Sequence, residues 1–459
     1  MKKRVAVIGA GLCGSVVSTL LRNDFEVTVI EQGKKKKPLF NDVDCTTGEL
    51  NTSINRAEGL GGTTNYWHNA LIELDDVDLA KAGIKPRSIE PYYAKAWRFF
   101  LSERELAECN RARDANRASI ESGECTVAHM VLPQARYNVW NLANERNPGD
   151  DIDVVYGHAE KIVPSANGSG HVEVRGKKGI ERVEADYFLL CAGGLATPVL
   201  LANSLGQDSA FCAGYHDHPM AYIAKVKIRP DSRLKAVSCT ATRSAEVRAG
   251  LIYTTDDLKT VVYLRPAIDM KLASITGAAR YILSDLRNDP FSPKKIMLLL
   301  GNLEAIREAI LFKTRLGFRG DYYSVLILGE QTPIATRGIQ MAAGKRPSLN
   351  WHVTPAELSS YDQSVSKFFA EFSDDILERK ALPAASWEFR NAAHHSGTAN
   401  QFVAAPGDTT SLEFFSATKL PNSYVCDGSL LRAAGIANSG LTLVALGYRL
   451  ADLMRSMAN

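Results

Sequence analysis

The feature that most constrains this chain is a glycine motif with the spacing G-x-G-x-x-G at residues 9–14. A short apolar run, Arg4–Ile8, precedes the motif and is typical of a buried strand. A helix is predicted from the last glycine to Leu21, and a second strand over Glu26–Ile30. The sequence therefore predicts a β-turn-α-β unit, which is the context in which such glycines bind a dinucleotide.

Each glycine of the motif has a separate physical role. Gly9 permits the tight turn, Gly11 lets the backbone approach a pyrophosphate, and Gly14 allows the helix to pack closely on the strand. The helix N-terminus adds N–H groups and a partial positive charge for the phosphates. Glu31, which ends the second strand, can accept both ribose hydroxyls and disfavours a 2′-phosphate. The motif alone leaves FAD and NAD both open.

The amino-acid composition limits the classes of partner. The 459 residues, of which 45% are hydrophobic, are enough for two or three domains with a large core. Lys and Arg total 54 and Asp and Glu total 51, so the net charge of +3 gives no reason to expect nucleic acid as a partner. A neutral or weakly anionic small molecule is open as a substrate.

The cysteines and the N-terminus indicate a cytoplasmic protein. The eight cysteines include no C-x-x-C pair, which argues against a zinc site and against a dense disulfide framework. The basic start, Met1–Arg4, superficially resembles a signal peptide, but the glycine motif continues into a second strand rather than a cleavage site. No apolar run approaches about 20 residues, so we expect no transmembrane segment.

Four other segments each allow two interpretations. The Gly61-Gly62 loop can lie against phosphate or ring edges, or form a turn before a strand. The lysine run Lys34–Lys37 is a solvated loop or attracts phosphate. The basic segment Pro293–Arg319 predicts an amphipathic helix packed on a sheet, with a membrane or partner contact as the alternative. The H-x-H spacing at His216–Pro219 is weak evidence for a metal, and we interpret it as a turn near a domain junction, with no metal expected.

The chain resembles the glucose-methanol-choline oxidoreductase family of FAD enzymes in segments that span nearly its whole length. The segments that carry the resemblance are residues 9–14 with Glu31, the Gly61-Gly62 loop, Cys191–Leu201, Val425–Ser429 and Gly435–Thr442. This resemblance implies an α/β fold with a discontinuous, Rossmann-type FAD-binding domain. A second, α+β domain built on an antiparallel sheet would bind the substrate.

Strand and helix signals divide the chain into these two domains. The FAD-binding domain is predicted at residues 1–85, 145–218 and 385–459. The cap and substrate-binding domain is predicted at residues 86–144 and 219–384.

The resemblance implies a set of residues that contact FAD. Some family members attach FAD to a histidine soon after the double glycine, but Tyr66 occupies that place here, so we expect non-covalent FAD, with His68 as the alternative attachment point. The implied contact residues are Gly9, Gly11, Leu12, Cys13, Gly14, Glu31, Gly61, Gly62, Thr63, Asn65, Tyr66, Trp67, Ala159, Cys191, Ala192, Gly193, Thr197, Asp427, Gly428, Asn438, Ser439, Gly440 and Leu441.

Two residues resemble the catalytic pair of the family. His394, in the run His394–Thr398, stands at the position of the catalytic histidine, and Asn438 at the second catalytic position. A histidine with a pKa near 6.5 is largely neutral at pH 7 and can take the proton of an alcohol. Asn438, expected at a helix N-terminus, can donate its amide to the substrate oxygen. His395 is expected to contact the substrate.

The resemblance implies an FAD-dependent oxidase or dehydrogenase. Its substrate would be a primary or secondary alcohol, with a sugar or glycoside hydroxyl among the candidates. The electron acceptor would be oxygen or an unidentified partner. An NAD-linked dehydrogenase or reductase, for which only the first glycine motif speaks, and a catalytically idle flavin-binding protein are the alternatives.

Overall fold

The computed structural model describes residues 2–39, 44–45, 56–67, 69–120, 125–134, 137–165, 168–207, 209–235, 240–242, 245–272, 297, 307, 320–404 and 409–458. Within these ranges the helices are α1 (Leu12–Leu21), α2 (Asp76–Lys81), α3 (Pro86–Phe100), α4 (Glu103–Ile120), α5 (Val139–Arg146), α6 (Thr197–Ser204), α7 (Pro355–Glu371) and α8 (Gly440–Ala458). The strands are β1 (Arg4–Ile8), β2 (Glu26–Glu31), β3 (Lys37–Leu39), β4 (Asp44–Cys45), β5 (Arg56–Glu58), β6 (Thr126–Pro133), β7 (Asp153–Tyr156), β8 (His158–Pro164), β9 (Gly170–Gly176), β10 (Gly179–Ala185), β11 (Tyr187–Leu190), β12 (Phe211–Ala213), β13 (Met220–Ile228), β14 (Thr240–Ala241), β15 (Ala245–Thr255), β16 (Leu258–Pro266), β17 (Tyr322–Gly329), β18 (Gly338–Gln340), β19 (Ser348–Asn350), β20 (Ile376–Ala381) and β21 (Ser423–Val425).

The predicted N-terminal β-turn-α-β unit forms the centre of a parallel sheet. Among the described residues this sheet has five strands in the order β21-β11-β1-β2-β7, and each neighbouring pair is parallel. The apolar residues of β1 are buried on both faces, as expected for a strand that is covered on both sides. The loops that leave the carboxyl ends of these strands therefore gather at one edge of the sheet.

Helix α8 packs against two other helices, α1 and α3. It packs on α1, where a Cβ added to Gly447 would lie only 3.4 Å from side-chain carbons of Val16 and Val17. It also packs on α3, and the hydroxyls of Tyr93 and Thr442 lie 2.7 Å apart across that contact. Helix α3 belongs to the segment predicted as a cap, and its buried face packs against the last helix of the chain.

The second large sheet is antiparallel. Counting only described residues, it contains seven strands in the order β14-β15-β16-β17-β13-β20, with β6 paired to the other edge of β15. Helix α7 covers one of its faces, and Tyr361 and Phe368 of this helix are fully buried there. A capping box at Thr354 and Glu357 fixes the start of α7, because each side chain accepts a backbone N–H of the other residue.

The predicted α/β class with an additional antiparallel sheet is confirmed. The described strands of the parallel sheet lie within residues 1–85, 145–218 and 385–459, and those of the seven-stranded sheet within 86–144 and 219–384. A smaller sheet, β12-β18-β19-β4, joins strands from both sets of segments. The domain boundaries themselves stay a prediction.

A buried ion cluster connects β16 to the N-terminal part of the chain. The Lys259 ammonium lies 2.5 Å from a carboxylate oxygen of Asp75 and 2.7 Å from one of Asp78, at the start of α2. Lys259 and Asp78 are both buried. The cluster therefore connects the antiparallel sheet to residues that precede the predicted cap.

The prediction for the basic segment 293–319 falls outside the described residues, apart from positions 297 and 307. No helix in the described part of the chain has the length and apolar character needed to cross a bilayer.

Candidate cofactor and active site

A cavity of about 1490 Å³ lies at the carboxyl ends of β1, β2 and β11. The loops after these strands form one wall, and the face of the seven-stranded sheet that carries Met220, Tyr263 and Leu326 forms another. Residues 388, 390–395 and 438–440 complete the lining. This central cavity therefore brings the predicted dinucleotide segment and the predicted catalytic residues to one place.

Most of the predicted cofactor residues line the central cavity. Those in its wall are Gly9, Gly11, Leu12, Cys13, Glu31, Gly62, Thr63, Tyr66, Trp67, Ala159, Cys191, Ala192, Gly193, Asp427, Gly428, Asn438, Ser439 and Gly440. Five others, Gly14, Gly61, Asn65, Thr197 and Leu441, lie behind the wall. They support its loops by packing or hydrogen bonds rather than forming its surface.

The glycine motif has the geometry that its spacing predicts. Gly9 has φ +99°, and an added Cβ would lie 2.6 Å from the carbonyl oxygen of Cys191, so a side chain is excluded there. A Cβ on Gly14 would overlap the carbonyl oxygen of Gly9. At Gly11 no atom lies within 4 Å of an added Cβ, which leaves its backbone open to the cavity.

Glu31 is held by backbone N–H groups. One carboxylate oxygen accepts from Ala10 at 3.0 Å, and the other accepts from Gly33 at 3.2 Å and Gly59 at 2.8 Å. Each carboxylate oxygen can accept about two hydrogen bonds, so the oxygen that is bonded to Ala10 can accept one more. Glu31 therefore also ties the first glycine turn to the loop before the double glycine.

The Gly61-Gly62 loop lies directly against the first glycine turn. The N–H of Gly61 donates to the carbonyl of Ala10 at 2.8 Å, and a Cβ on Gly62 would come within 3.0 Å of the Gly11 Cα. The indole N–H of Trp67, which follows the loop, is buried in the cavity wall and has no hydrogen-bond partner in the structure as described. A buried donor without a partner is costly and points to a bound acceptor. The alternative attachment point, His68, lies outside the described residues.

Asp427 connects the second and the closing predicted flavin segments. One of its oxygens accepts from the Gly193 N–H at 2.8 Å and the Thr197 hydroxyl at 2.5 Å. The other accepts from the N–H of Ser429 at 2.9 Å and its hydroxyl at 2.6 Å. Burial raises the pKa of Asp427, and these hydrogen bonds oppose the rise.

Both predicted catalytic residues line the cavity and are half-buried. Asn438 lies two residues before the start of α8, whose first backbone hydrogen bond runs from the Leu443 N–H to the Ser439 carbonyl at 2.8 Å. Burial, with a smaller contribution from His218, lowers the pKa of His394 to about 3. The imidazole of His394 is therefore neutral at pH 7.

Asp217 holds the backbone of the segment that contains His394. Both of its oxygens lie 3.1 Å from the backbone N–H of His394, and one also accepts from Ala392 at 3.2 Å and from His218 at 2.7 Å. The Tyr215 hydroxyl donates to the other oxygen at 3.0 Å. Burial alone would raise the pKa of Asp217, but the hydrogen bond with His395 and the neighbouring imidazoles hold it well below its usual range.

The hydrogen bonds of His218 determine the tautomer of His394. The Nε2 atom of His218 lies 2.9 Å from the Gly435 carbonyl, which can only accept, so this nitrogen carries the proton. Burial lowers the pKa of His218, so the ring is neutral and its Nδ1 is an acceptor. The Nδ1 of His394 lies 2.9 Å from that acceptor and must donate. The lone pair of His394 is therefore on Nε2.

His395, predicted to contact the substrate, also lines the cavity. Its Nδ1 atom lies 2.7 Å from the Tyr215 hydroxyl and 3.5 Å from an oxygen of Asp217. The side chain is buried, and its ring is tilted by 35° on the ring of Tyr215. One nitrogen of His395 is thus used in the protein network around Asp217.

Asp217, His218 and His394 offer ligand atoms within 4.8 Å of one another, which is a spacing that a metal ion could use. His216, the other histidine of the H-x-H element, is separate from this group and contacts the Gly214 carbonyl instead. The oxygens of Asp217 already accept backbone and hydroxyl donors, and the two imidazoles form a hydrogen bond with each other. We therefore interpret the cluster as a hydrogen-bonded support for His394.

The sequence did not predict Tyr215, Asp217 and His218 as parts of the site. From sequence the element His216–Pro219 is interpreted as a turn, with a metal site as the weak alternative, because the spacing contains no information on which distant side chain it meets. The wall residues Arg248, Tyr263 and Arg265 were also missed. They lie at alternating positions in ordinary strands, a pattern that does not distinguish a cavity wall from any other sheet face.

Comparisons with known proteins support the fold at low sequence identity. No protein-family model matches the chain. An uncharacterized protein of Methanocaldococcus jannaschii is 24% identical over 219 residues, which are 44% of this chain and 52% of that protein, so the match spans about half of the length of this curated relative.

Two solved structures are similar over nearly the whole chain. Pyridoxine 4-oxidase from Mesorbium loti is 15% identical with a TM-score of 0.59, and 98% of each chain is covered. Formate oxidase from Aspergillus oryzae, solved in a study of FAD modification, is 14% identical with a TM-score of 0.57, and the match covers 100% of this chain and 99% of that one.

Proposed function

The chain has the fold of the glucose-methanol-choline oxidoreductases, and on that premise we propose that it is an FAD-dependent enzyme that oxidises a hydroxyl group of a small molecule. The observation that carries this proposal is the common cavity of Gly11, His394 and Asn438. These residues come from opposite ends of the chain, and a cofactor held at the glycine turn could reach both catalytic candidates.

The chemistry of the cavity wall fits FAD. Gly9, Gly11 and Glu31 would hold the adenosine and pyrophosphate end. The unpartnered indole N–H of Trp67 would meet an acceptor on the ring system, and the N-terminus of α8 offers a partial positive charge nearby. Bound FAD would supply the hydride acceptor. With Tyr66 after the double glycine, we expect the cofactor to be held without a covalent bond.

His394 is the proposed base, and its acting atom is Nε2. The bond from its Nδ1 to His218 leaves the lone pair on Nε2, and the low pKa keeps the ring neutral over the physiological range. A proton taken from the substrate hydroxyl makes the ring cationic. The nearby Asp217 carboxylate stabilises that charge, because it favours the protonated form of His394.

Asn438 is the proposed partner of the substrate oxygen. Its amide would donate to the oxygen that loses its proton, which both orients the carbon and stabilises developing negative charge. Its position two residues before α8 places it near the N-terminal dipole of that helix. Both similar solved structures are named oxidases, which supports molecular oxygen as the electron acceptor.

Purification of the protein provides the first test. We expect a yellow protein whose flavin absorbance is released on denaturation and whose spectrum bleaches anaerobically with one member of a panel of alcohols and sugars. Admission of air then reports oxygen use through the speed of recolouring. A colourless protein that binds NAD would support the nicotinamide alternative. A flavoprotein that no alcohol bleaches would support the idle flavin-binding alternative.

A further inference from the structure

The sheet wall of the central cavity changes in character along its strands. Met220 and Leu328 form one pair across β13 and β17, and Leu326 pairs with Tyr263 on β16 one step further. Arg265 lies two residues beyond Tyr263 on the same face and also lines the cavity. Arg265 pairs with Ser324, which precedes Leu328 by four residues on β17. The distance along the strand between these two positions is about 13 Å. The wall is apolar at one end and cationic at the other.

The apolar end adjoins the catalytic segment. Met220 exchanges backbone hydrogen bonds with Arg390, at 2.7 Å and 2.9 Å, and the chain runs from there through Ala393 to His394. All four residues line the cavity. A substrate whose hydroxyl meets His394 can therefore extend along the sheet toward Tyr263 and Arg265.

Tyr263 is a buried donor without a partner. Its side chain is 4% exposed, and its hydroxyl makes no hydrogen bond in the described structure. Burial raises the pKa of Tyr263 to about 12, against the opposing charges of Arg265 and Arg248, so the phenol stays protonated at pH 7. A neutral O–H donor under the influence of two guanidinium groups is complementary to an anionic oxygen.

The described charges around Tyr263 sum to a positive value. Among the described residues, Arg248 and Arg265 line the cavity there together with Glu246, so 2 − 1 leaves one excess positive charge. Glu246 lies 2.5 Å from one terminal nitrogen of Arg248. A guanidinium has five N–H donors, so this ion pair leaves donors of Arg248 that can still bind an oxyanion.

We infer that the wall around Tyr263, Arg248 and Arg265 is a subsite for an anionic oxygen group on the substrate. The alcohol would be of sugar size and carry a phosphate or a carboxylate at the end away from the reacting hydroxyl. This inference rests on the proposed function, since it assigns the other end of the substrate to His394.

The test is isothermal titration of the holoprotein with glucose 6-phosphate, glucuronate and glucose, and with inorganic phosphate and acetate as probes without a sugar ring. At least one anionic sugar should bind ten-fold or more tightly than glucose. Comparison of inorganic phosphate with acetate then shows whether the subsite prefers a phosphate or a carboxylate, since the preferred group should bind more tightly. Tyr263→Phe and Arg265→Gln should each lower the anion preference about ten-fold.

Tyr253→Phe is the matched control. This tyrosine lies on β15 among the residues that α7 covers, and its hydroxyl donates to Glu371 at 2.8 Å, so its loss should leave the anion preference unchanged. Equal binding of glucose and the anions, no binding of any anion, or an anion preference that survives both wall variants would overturn the subsite. A flavin spectrum that Tyr263→Phe shifts without any anion would also do so, because Tyr263 would then contact the cofactor.

The binding measurement does not depend on turnover. A preference for anions in a protein whose flavin no alcohol reduces would leave the subsite intact and refute the proposed function. Flavin reduction by neutral alcohols with no preference for anions would refute the subsite and keep the proposed function.

Discussion

The Nδ1 atoms of His394 and His218 lie 2.9 Å apart, and the other nitrogen of His218 lies 2.9 Å from the Gly435 carbonyl. Because the carbonyl can only accept, the proton positions of both neutral rings follow from this chain of contacts. His218 touches neither solvent nor, by this geometry, the reacting hydroxyl. We therefore propose His218 as a positioning residue for His394.

Replacement of His218 should slow the reaction without removing the cofactor. His218→Phe deletes the acceptor for the Nδ1–H of His394, so the ring can take the other tautomer. In that fraction of the molecules Nε2 carries the proton and cannot act as the base. We expect kcat for anaerobic flavin reduction to fall on the order of 10²-fold with little change in KM. His218→Gln, whose amide oxygen can accept the same proton, should restore part of the rate. Equal rates in wild type and His218→Phe would contradict the positioning role.

Removal of the proposed base should have the largest effect on chemistry. His394→Ala should lower the rate of flavin reduction by about 10²–10⁴-fold while the yellow colour and the melting temperature persist. Stopped-flow bleaching of the bound flavin under anaerobic conditions measures this step directly. His395→Ala serves as the comparison. We expect a smaller loss in its rate of flavin reduction, because His395 is predicted to contact the substrate and not to act as the base. An undiminished rate in His394→Ala would refute the assignment.

The low pKa of His394 predicts the acid limb of the rate profile. A base acts in its unprotonated form, which exists above its pKa, and burial lowers this pKa from 6.5 to about 3. We therefore expect kcat/KM to stay level from pH 8 down to about pH 4, rather than to fall near 6.5. Rapid pH-jump assays limit acid unfolding during the measurement. A fall of kcat/KM with an apparent pKa near 6.5 in a folded enzyme would contradict a buried, neutral His394.

Loss of Asp427 should release the cofactor and weaken the fold. Asp427→Ala leaves the Gly193 N–H, the Thr197 hydroxyl and the donors of Ser429 without their acceptor in a buried place. We expect a loss of roughly 3 kcal/mol or more in the free energy of unfolding. Flavin content should fall with it, since Gly193 lines the cavity. Denaturant titration and the flavin-to-protein absorbance ratio measure the two effects, and a variant with full flavin content would exclude this role.

His129 should make the fold sensitive to acid. It is 3% exposed on β6, and neither of its ring nitrogens has a hydrogen-bond partner in the described structure. Burial, followed by the charges of Arg113 and Arg117, lowers its pKa to about 4. The unfolded chain then binds the extra proton between pH 6.5 and 4, so stability falls as the pH falls through that window.

His129→Leu isolates this contribution. The slope of unfolding free energy against pH should become shallower by up to about 1.4 kcal/mol per pH unit between pH 6.5 and 4. Stability at pH 7 should be maintained, because the substitution removes two unpaired polar atoms. Denaturant titrations at four pH values are sufficient, and parallel slopes in the two proteins would contradict the prediction.

Local patterns predicted much of the fold, while long-range contacts did not follow from them. The turn at Gly9, Gly11 and Gly14 is determined by neighbours within one β-turn-α-β unit, and its geometry agrees with the spacing. The pairing of His218 with His394 depends on how two distant loops pack, and no periodicity encodes it. The same holds for α3, whose packing on α8 joins segments that are distant in sequence.

The family resemblance supplied what spacing could not supply for the catalytic candidates. His394 and Asn438 were assigned by similarity of motif, and their roles stay predictions even though both line the cavity. Tyr263 had no motif to mark it. Only the three-dimensional structure reveals that its hydroxyl is buried and has no hydrogen-bond partner among the described residues.

The ion cluster of Lys259 with Asp75 and Asp78 restricts the opening motions of this molecule. A swing of the antiparallel sheet away from the N-terminal segment would expose Lys259 and leave two adjacent carboxylates facing each other without their shared cation. A large movement of the antiparallel sheet away from the N-terminal segment is therefore disfavoured. Traffic of substrate and product should instead rely on rearrangement of short loops at the cavity rim, and cross-linking Lys259's strand to α2 should leave turnover intact.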